Sequence, residues 1–160
     1  MSVPIFGPLK WVVTATPKSG TTHIGKWLTS RGYATGHELT FKSPYPYDPT
    51  RLRVHRLRLP GESSWLAAPW TSELRAAGVY VIHLHRPHDL IVESLMRRGQ
   101  FDLTRPPFSP VVGAYTTALD EEPHSRRQFE VFVEEWIGLI DADVTWDLLD
   151  LHDGLLNDLP

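Results

Sequence analysis

Trp11-Val-Val-Thr-Ala-Thr-Pro-Lys-Ser-Gly-Thr-Thr-His-Ile-Gly-Lys-Trp-Leu28 reads as a buried strand, a tight turn and the opening turns of a helix. Trp11 to Val13 are β-branched or aromatic, which suits a strand. Pro17 ends the strand and Gly20 frees the turn. Thr21 and Thr22 are placed to cap a helix whose apolar face is Ile24, Trp27 and Leu28, at helical spacing. A strand–loop–helix of this kind aims backbone N–H groups and the positive end of a helix dipole at one spot. Lys18 adds a full charge there. The stretch therefore predicts a site for a multiply charged anion, a phosphate or a sulfate group.

Working outward, Arg31-Gly-Tyr33 makes a turn, and Ala34-Thr-Gly36 is a short second strand ending at His37-Glu38. Leu39 to Pro49, with three prolines, reads as a loop. In Arg51 to Leu59 the alternation changes phase at His55-Arg56, as a bulge or bend would require; its four arginines suit a solvated strand edge or an anionic ligand. Gly61-Glu-Ser-Ser64 leads into Trp65 to Ala68, and Pro69 either breaks a helix there or starts the next. Thr71 to Ala77 is helical with Gly78 as its cap. Val79 to His85 is the clearest buried strand, followed by a helix from Pro87 to about Arg98. Gly99 to Pro110 is a loop, and Val111 to Leu119 holds a short helical piece. Ser125 to Asp141 is amphipathic, with Phe129, Phe132, Val133, Trp136 and Ile140 on one face. Val144-Thr-Trp146 is a last strand, and the tail after Asp150 carries a weak pattern.

Strands alternating with helices imply a parallel sheet covered on both faces. In such sheets ligands bind beyond the carboxyl ends of the strands. Those ends carry Pro17 to Thr22, His37-Glu38 and Arg86, so the three segments are expected to converge.

The chain of 160 residues has the size of one domain, and its hydrophobic fraction of 41% is enough for a core. Its net charge of −3 does not suggest a nucleic-acid partner. Without cysteine there is no disulfide framework or thiolate metal site, which fits a reducing compartment. Met1 to Lys10 lacks the pattern of a signal peptide, and no apolar run is long enough to cross a bilayer. These features predict a soluble, cytoplasmic protein. His83 and His85 share a strand face near His88 and Asp89, but a metal needs ligands that converge, and a central strand packs against helices instead. No metal site is expected.

The first stretch is not a Walker A sequence, which needs Gly-Lys-Ser/Thr after four residues. Here Gly20 is followed by Thr21-Thr22 and Lys18 precedes it. The strand Val79 to His85 runs into Arg86, where a nucleotide kinase would place a magnesium-binding aspartate. A cation there favours a metal-free anionic ligand. Thr16-Pro-Lys-Ser-Gly-Thr-Thr22 resembles the phosphosulfate-binding loop of sulfotransferases that use 3′-phosphoadenosine 5′-phosphosulfate (PAPS). Ile82-His-Leu-His-Arg-Pro-His-Asp-Leu-Ile-Val-Glu-Ser94 resembles their second signature, in which an arginine at a strand end and a serine eight residues later clamp the 3′-phosphate. Gly36-His-Glu38, Ser64-Trp-Leu-Ala-Ala-Pro69 and the Trp136 helix resemble a bacterial-type branch of that family.

The resemblance, which extends to about Leu151, implies a single α/β domain over 1–160 with its core at about 10–151. It implies three layers and a mostly parallel sheet of P-loop-NTPase-like topology. Pro17, Lys18, Ser19, Gly20, Thr21, Thr22, Arg86 and Ser94 would bind the nucleotide, with Lys18 also acting on the bridging oxygen. The reaction would be in-line sulfuryl transfer from PAPS to a hydroxyl of a small molecule, carbohydrate or lipid, leaving 3′-phosphoadenosine 5′-phosphate (PAP) and requiring no metal. Glu38 is the first choice of base for the acceptor proton, with His37 and His55 as the other candidates. Consecutive residues on an extended chain face opposite ways, so only one of His37 and Glu38 is expected to reach the site. Family members usually continue past the last strand with a segment that closes over the nucleotide; here that segment is short or missing. The chain is then either a minimal version or one completed by a partner subunit or a second copy of itself. The competing readings are a P-loop small-molecule kinase using ATP and a non-catalytic nucleotide-binding descendant of the fold.

Overall fold

Trp11–Thr14 forms β1, and Thr21–Ser30 forms α1 directly after the turn that Pro17 and Gly20 predict. The remaining strands are β2 (Thr35–His37), β3 (Gly61–Ser63), β4 (Tyr80–His85) and β5 (Val144–Asp147). The remaining α-helices are α2 (Thr71–Ala76), α3 (His88–Met96), α4 (Ser109–Tyr115) and α5 (Arg126–Gly138). The computed structural model describes residues 6–41, 59–97, 102–105, 108–121 and 124–160. The strand order is β2-β3-β1-β4-β5, and every pairing is parallel. Parallel neighbours cannot be joined by hairpins, so the connecting segments cross the faces of the sheet and cover them.

The two faces divide the core by the period of two that a strand imposes. Val12 and Val81 point to one face, where they meet Leu74 of α2, Ile91 of α3, Val111 of α4 and Phe132 and Trp136 of α5. Val13, Ile82 and Leu84 point to the other, against Ile24 and Leu28 of α1 and Trp146 of β5. The result is a three-layer α/β architecture of P-loop-like topology. α5 begins with a capping box in which Ser125 and Gln128 bond each other's backbone N–H, and Gly78 leaves α2 at φ 85°.

Three features differ from the sequence reading. β3 was not expected: Gly61-Glu-Ser lacks the β-branched residues that mark a strand, and the segment reads as a lead-in. It is a strand because it has β1 on one side and β2 on the other. The alternating segment Arg51 to Leu59 lies outside the described residues apart from Leu59. The tail is also better ordered than its pattern. Asp153–Asp158 forms a 3-10 turn, Leu151, Leu155 and Leu159 pack on the α1 side of the sheet, and Asp158 Oδ2 accepts from the Trp146 indole at 3.1 Å. Pro69 neither breaks nor starts an α-helix, because Trp65–Trp70 is a 3-10 turn that runs into α2.

Candidate functional site

The carboxyl ends of β1, β2 and β4 meet around one cavity of about 430 Å³, lined by Lys18, Gly20, Thr21, Thr22, His37, Glu38, Trp65, Arg86 and Phe108. The expected convergence is present, and the volume lies in the range of small-molecule sites.

The loop after β1 is shaped by two residues with left-handed backbone, Lys18 at φ 62° and Gly20 at φ 89°. Lysine rarely adopts that conformation, and such strain persists where the surroundings over-determine it. One clamp is internal: the Thr16 and Ser19 hydroxyls lie 2.5 Å apart. Another is Arg86, whose Nη1 donates to the Lys18 carbonyl at 2.5 Å. Leu148, just past β5, presses on the loop from outside, since a Cβ on Gly20 would lie 2.8 Å from Leu148 Cδ2. Lys18 is thereby exposed to the cavity while Pro17 and Ser19 are buried beneath it.

Thr21 and Thr22 do not cap α1, contrary to expectation. They are its first two residues, Gly20 is the N-cap, and no side chain makes a cap hydrogen bond. The first-turn N–H groups of a helix have no partner within the helix. Here they lie beside two hydroxyls, a lysine and an arginine, which is the chemistry of an anion cradle.

Arg86 follows the last residue of β4, and its Nη1 also reaches Ser94 Oγ on α3 at 3.4 Å. The pair separated by eight positions is therefore adjacent in space. One guanidinium joins the loop after β1 to α3 and still borders the cavity.

His37 and Glu38 both line the cavity, which corrects the expectation that only one would. The alternation rule assumes extended backbone, and Glu38 has φ 51°. Its N–H donates to the Ser63 carbonyl at 3.1 Å. The same carbonyl lies 3.1 Å from His37 Nδ1, and His37 Nε2 lies 3.0 Å from the Thr22 hydroxyl. If Nδ1 donates to Ser63, Nε2 of the neutral ring accepts from Thr22. Glu38 Oε1 stands 3.9 Å from His37 Nε2. His55, the third candidate base, lies outside the described residues, as do most of the loops at Leu39 to Pro49 and part of Gly99 to Pro110.

Three further residues, Trp65, Phe108 and Glu62, were given no role at the site from the sequence. Trp65 and Phe108, with ring centroids 5.7 Å apart, give the cavity an aromatic wall. Glu62, on β3, is buried and bonded to the segment that follows Glu38. Burial pushes its carboxyl up from 4.5 to about 7, opposed by N–H groups of Thr40, Phe41 and Leu39. Below 4.5 the carboxyl is protonated both folded and unfolded; above about 7 it is ionised in both, and only the folded state bears the desolvation. Its stabilising protonation is lost as pH rises across that window, a change on the order of 3 kcal/mol. A lone glutamate between glycine and serine carries no sequence signal of this.

His83 is held below its usual range by burial and by the nearby His85 and His88. The His85 and His88 rings lie 6.2 Å apart, and among the described residues no group of three or more His, Asp or Glu could hold a metal ion. No helix among them is long and apolar enough to cross a membrane. No protein-family model matches the chain, and no curated protein matches it.

Proposed function

We propose that the protein is a PAPS-dependent sulfotransferase acting on a hydroxyl. The observation that carries this reading is the joining of the lysine loop to the arginine at the end of β4. Lys18 and the α1 N-terminus face one part of the cavity, and Arg86, in contact with Ser94, faces it from the next strand. Two anion-binding centres side by side suit a ligand with phosphate groups at two positions. The backbone N–H groups of Ser19 to Thr22 and the two threonine hydroxyls would hold the 5′-phosphate, while Arg86 and Ser94 would hold the 3′-phosphate.

In the reaction, the acceptor oxygen forms a bond to sulfur as the bond from sulfur to the 5′-phosphate oxygen breaks. Lys18 neutralises charge on the departing oxygen, and the acceptor proton passes to Glu38. A sulfuryl group carries less charge than a terminal phosphoryl group, so its transfer needs less neutralisation. Positioning and fixed charge then supply most of the catalysis. The same fold also suits an ATP-dependent kinase, but the cation at the end of β4 stands where such an enzyme needs a carboxylate for magnesium. A screen with labelled PAPS over candidate hydroxyl compounds identifies the acceptor.

Thermal shift separates these readings. PAP without added metal should raise the melting temperature more than ATP with magnesium does; the reverse order would reject the sulfotransferase reading. Arg86→Ala should weaken PAP by about ten- to a hundredfold, the range for a lost hydrogen bond to a charged group, and adenosine 5′-phosphosulfate far less. Because Arg86 also holds the Lys18 carbonyl, equal loss for both ligands in a competition assay would assign it to bracing the loop instead.

A further inference from the structure

Among the described residues Glu62 is the only charged side chain that is fully buried, at 1% exposure. It sits on β3 opposite Val12 of β1 and Gly36 of β2. Gly36 makes room for it, since a Cβ there would lie 2.9 Å from Glu62 Oε1. Glu62 Oε2 accepts from the Thr40 N–H and, at 3.3 Å, from the Phe41 N–H. Oε1 has no hydrogen-bond partner among the described residues. A buried carboxylate with one oxygen unsatisfied is costly, and stability alone would favour an apolar residue.

Its position explains what it does. The N–H of Glu38 is held by the Ser63 carbonyl, and two residues further on the chain is held by Glu62. Ser63 Oγ also donates to the Gly36 carbonyl at 2.9 Å. Glu38 is thus pinned from both sides by adjacent residues of one strand, which is what its left-handed backbone requires.

We propose that Glu62 is a positioning residue for sulfuryl transfer: its carboxylate ties down the turn at 39–41 and so holds Glu38 against the cavity that contains Lys18. This inference rests on the sulfotransferase reading of the site. The groups facing Glu62 from its neighbours, Val12, Gly36, Leu39, Thr40 and Phe41, are uncharged; the nearest titratable groups along that chain segment are His37, which ends β2, and Glu38, which follows it. An ionised carboxylate accepts the turn's N–H groups more strongly than a protonated one. A protonated one still accepts through Oε2, with the proton on the unpartnered Oε1, so the turn is held on both sides of the titration.

Glu62→Gln tests this, with labelled PAPS as donor and water as the acceptor. Water oxygen bonds to sulfur, the bond to the 5′-phosphate breaks, PAP leaves and Glu38 takes the proton, so free sulfate is the readout. Sulfate release should fall by about tenfold or more while PAP affinity stays within about twofold, the pattern of a group that acts on turnover and not on binding. An unchanged rate, or PAP affinity falling in step with the rate, would overturn the proposal.

Amide hydrogen exchange needs no turnover. Protection at 38–41, relative to α1, should be lower in Glu62→Leu, which removes the acceptor of the turn's N–H groups, than in the wild type. Equal protection would overturn the proposal. If the wild type binds no PAP and releases no sulfate, the sulfotransferase reading fails, and exchange still decides whether Glu62 holds the turn.

Discussion

Lys18→Ala is expected to lower sulfuryl transfer by about a hundredfold to a thousandfold, the usual effect of removing one preorganised charge-stabilising donor. The side chain is exposed to the cavity on a loop whose shape comes from other contacts: the Thr16–Ser19 hydroxyl pair, the Arg86 bond to the Lys18 carbonyl, and Leu148 against Gly20. Alanine keeps that carbonyl, so the loop and the folded state should survive. PAP should still bind, because the α1 N-terminus, Arg86 and Ser94 are untouched, while turnover collapses. Lys18→Arg should recover only part of the rate, since a planar guanidinium spreads its charge and does not place a point charge at the departing oxygen. Turnover of labelled PAPS together with PAP binding gives the check. Full activity in the alanine variant would remove Lys18 from the mechanism.

Gly61→Ala should be the most damaging single-methyl change to stability. A Cβ at this position would lie 2.1 Å from Trp11 Nε1 and 2.3 Å from Trp11 Cε2. The indole has nowhere to go: Trp11 is 4% exposed, its N–H donates to Thr35 Oγ1 at 3.0 Å, and Tyr33 packs edge-on at 5.9 Å. Since Trp11, Gly61 and Thr35 are register partners across β1, β3 and β2, moving the ring disturbs all three strands. Overpacking of this kind costs about 3 kcal/mol or more. For a chain of this size that is a drop in melting temperature on the order of 10 °C. Gly113→Ala and Gly138→Ala are the controls. An added Cβ at either meets nothing within 4 Å, and each lies in a helix, so a gain of up to about 1 kcal/mol is expected. Urea titrations of the three variants decide it; a Gly61→Ala protein as stable as the wild type would mean that β1 and β3 do not pair in this register.

Elements with their own periodicity were legible along the chain. β1 and β4 are apolar runs, and α5 repeats its large side chains at helical steps and opens with Ser125 three residues before Gln128. The convergence of Lys18, His37-Glu38 and Arg86 was legible too, because parallel strands bring their carboxyl ends to one edge. β3 was not, since Gly61-Glu-Ser has neither apolar character nor alternation. Its residues are chosen for their neighbours: glycine for the Trp11 ring, glutamate for the turn at 39–41, serine for the end of β2.

The amino-acid sequence alone determined the α/β class, the strand–turn–helix around Lys18 and the eight-residue spacing of Arg86 and Ser94. Each of these depends on local pattern or short separation. Tertiary structure decided that His37 and Glu38 share the cavity, that Thr21 and Thr22 leave the α1 N-terminus uncapped by side chains, and that Glu62 is buried and holds the turn at 39–41. Those outcomes depend on a strand defined by its partners and on a backbone turn held from both sides, and contacts between residues more than twenty positions apart leave no local trace in a chain.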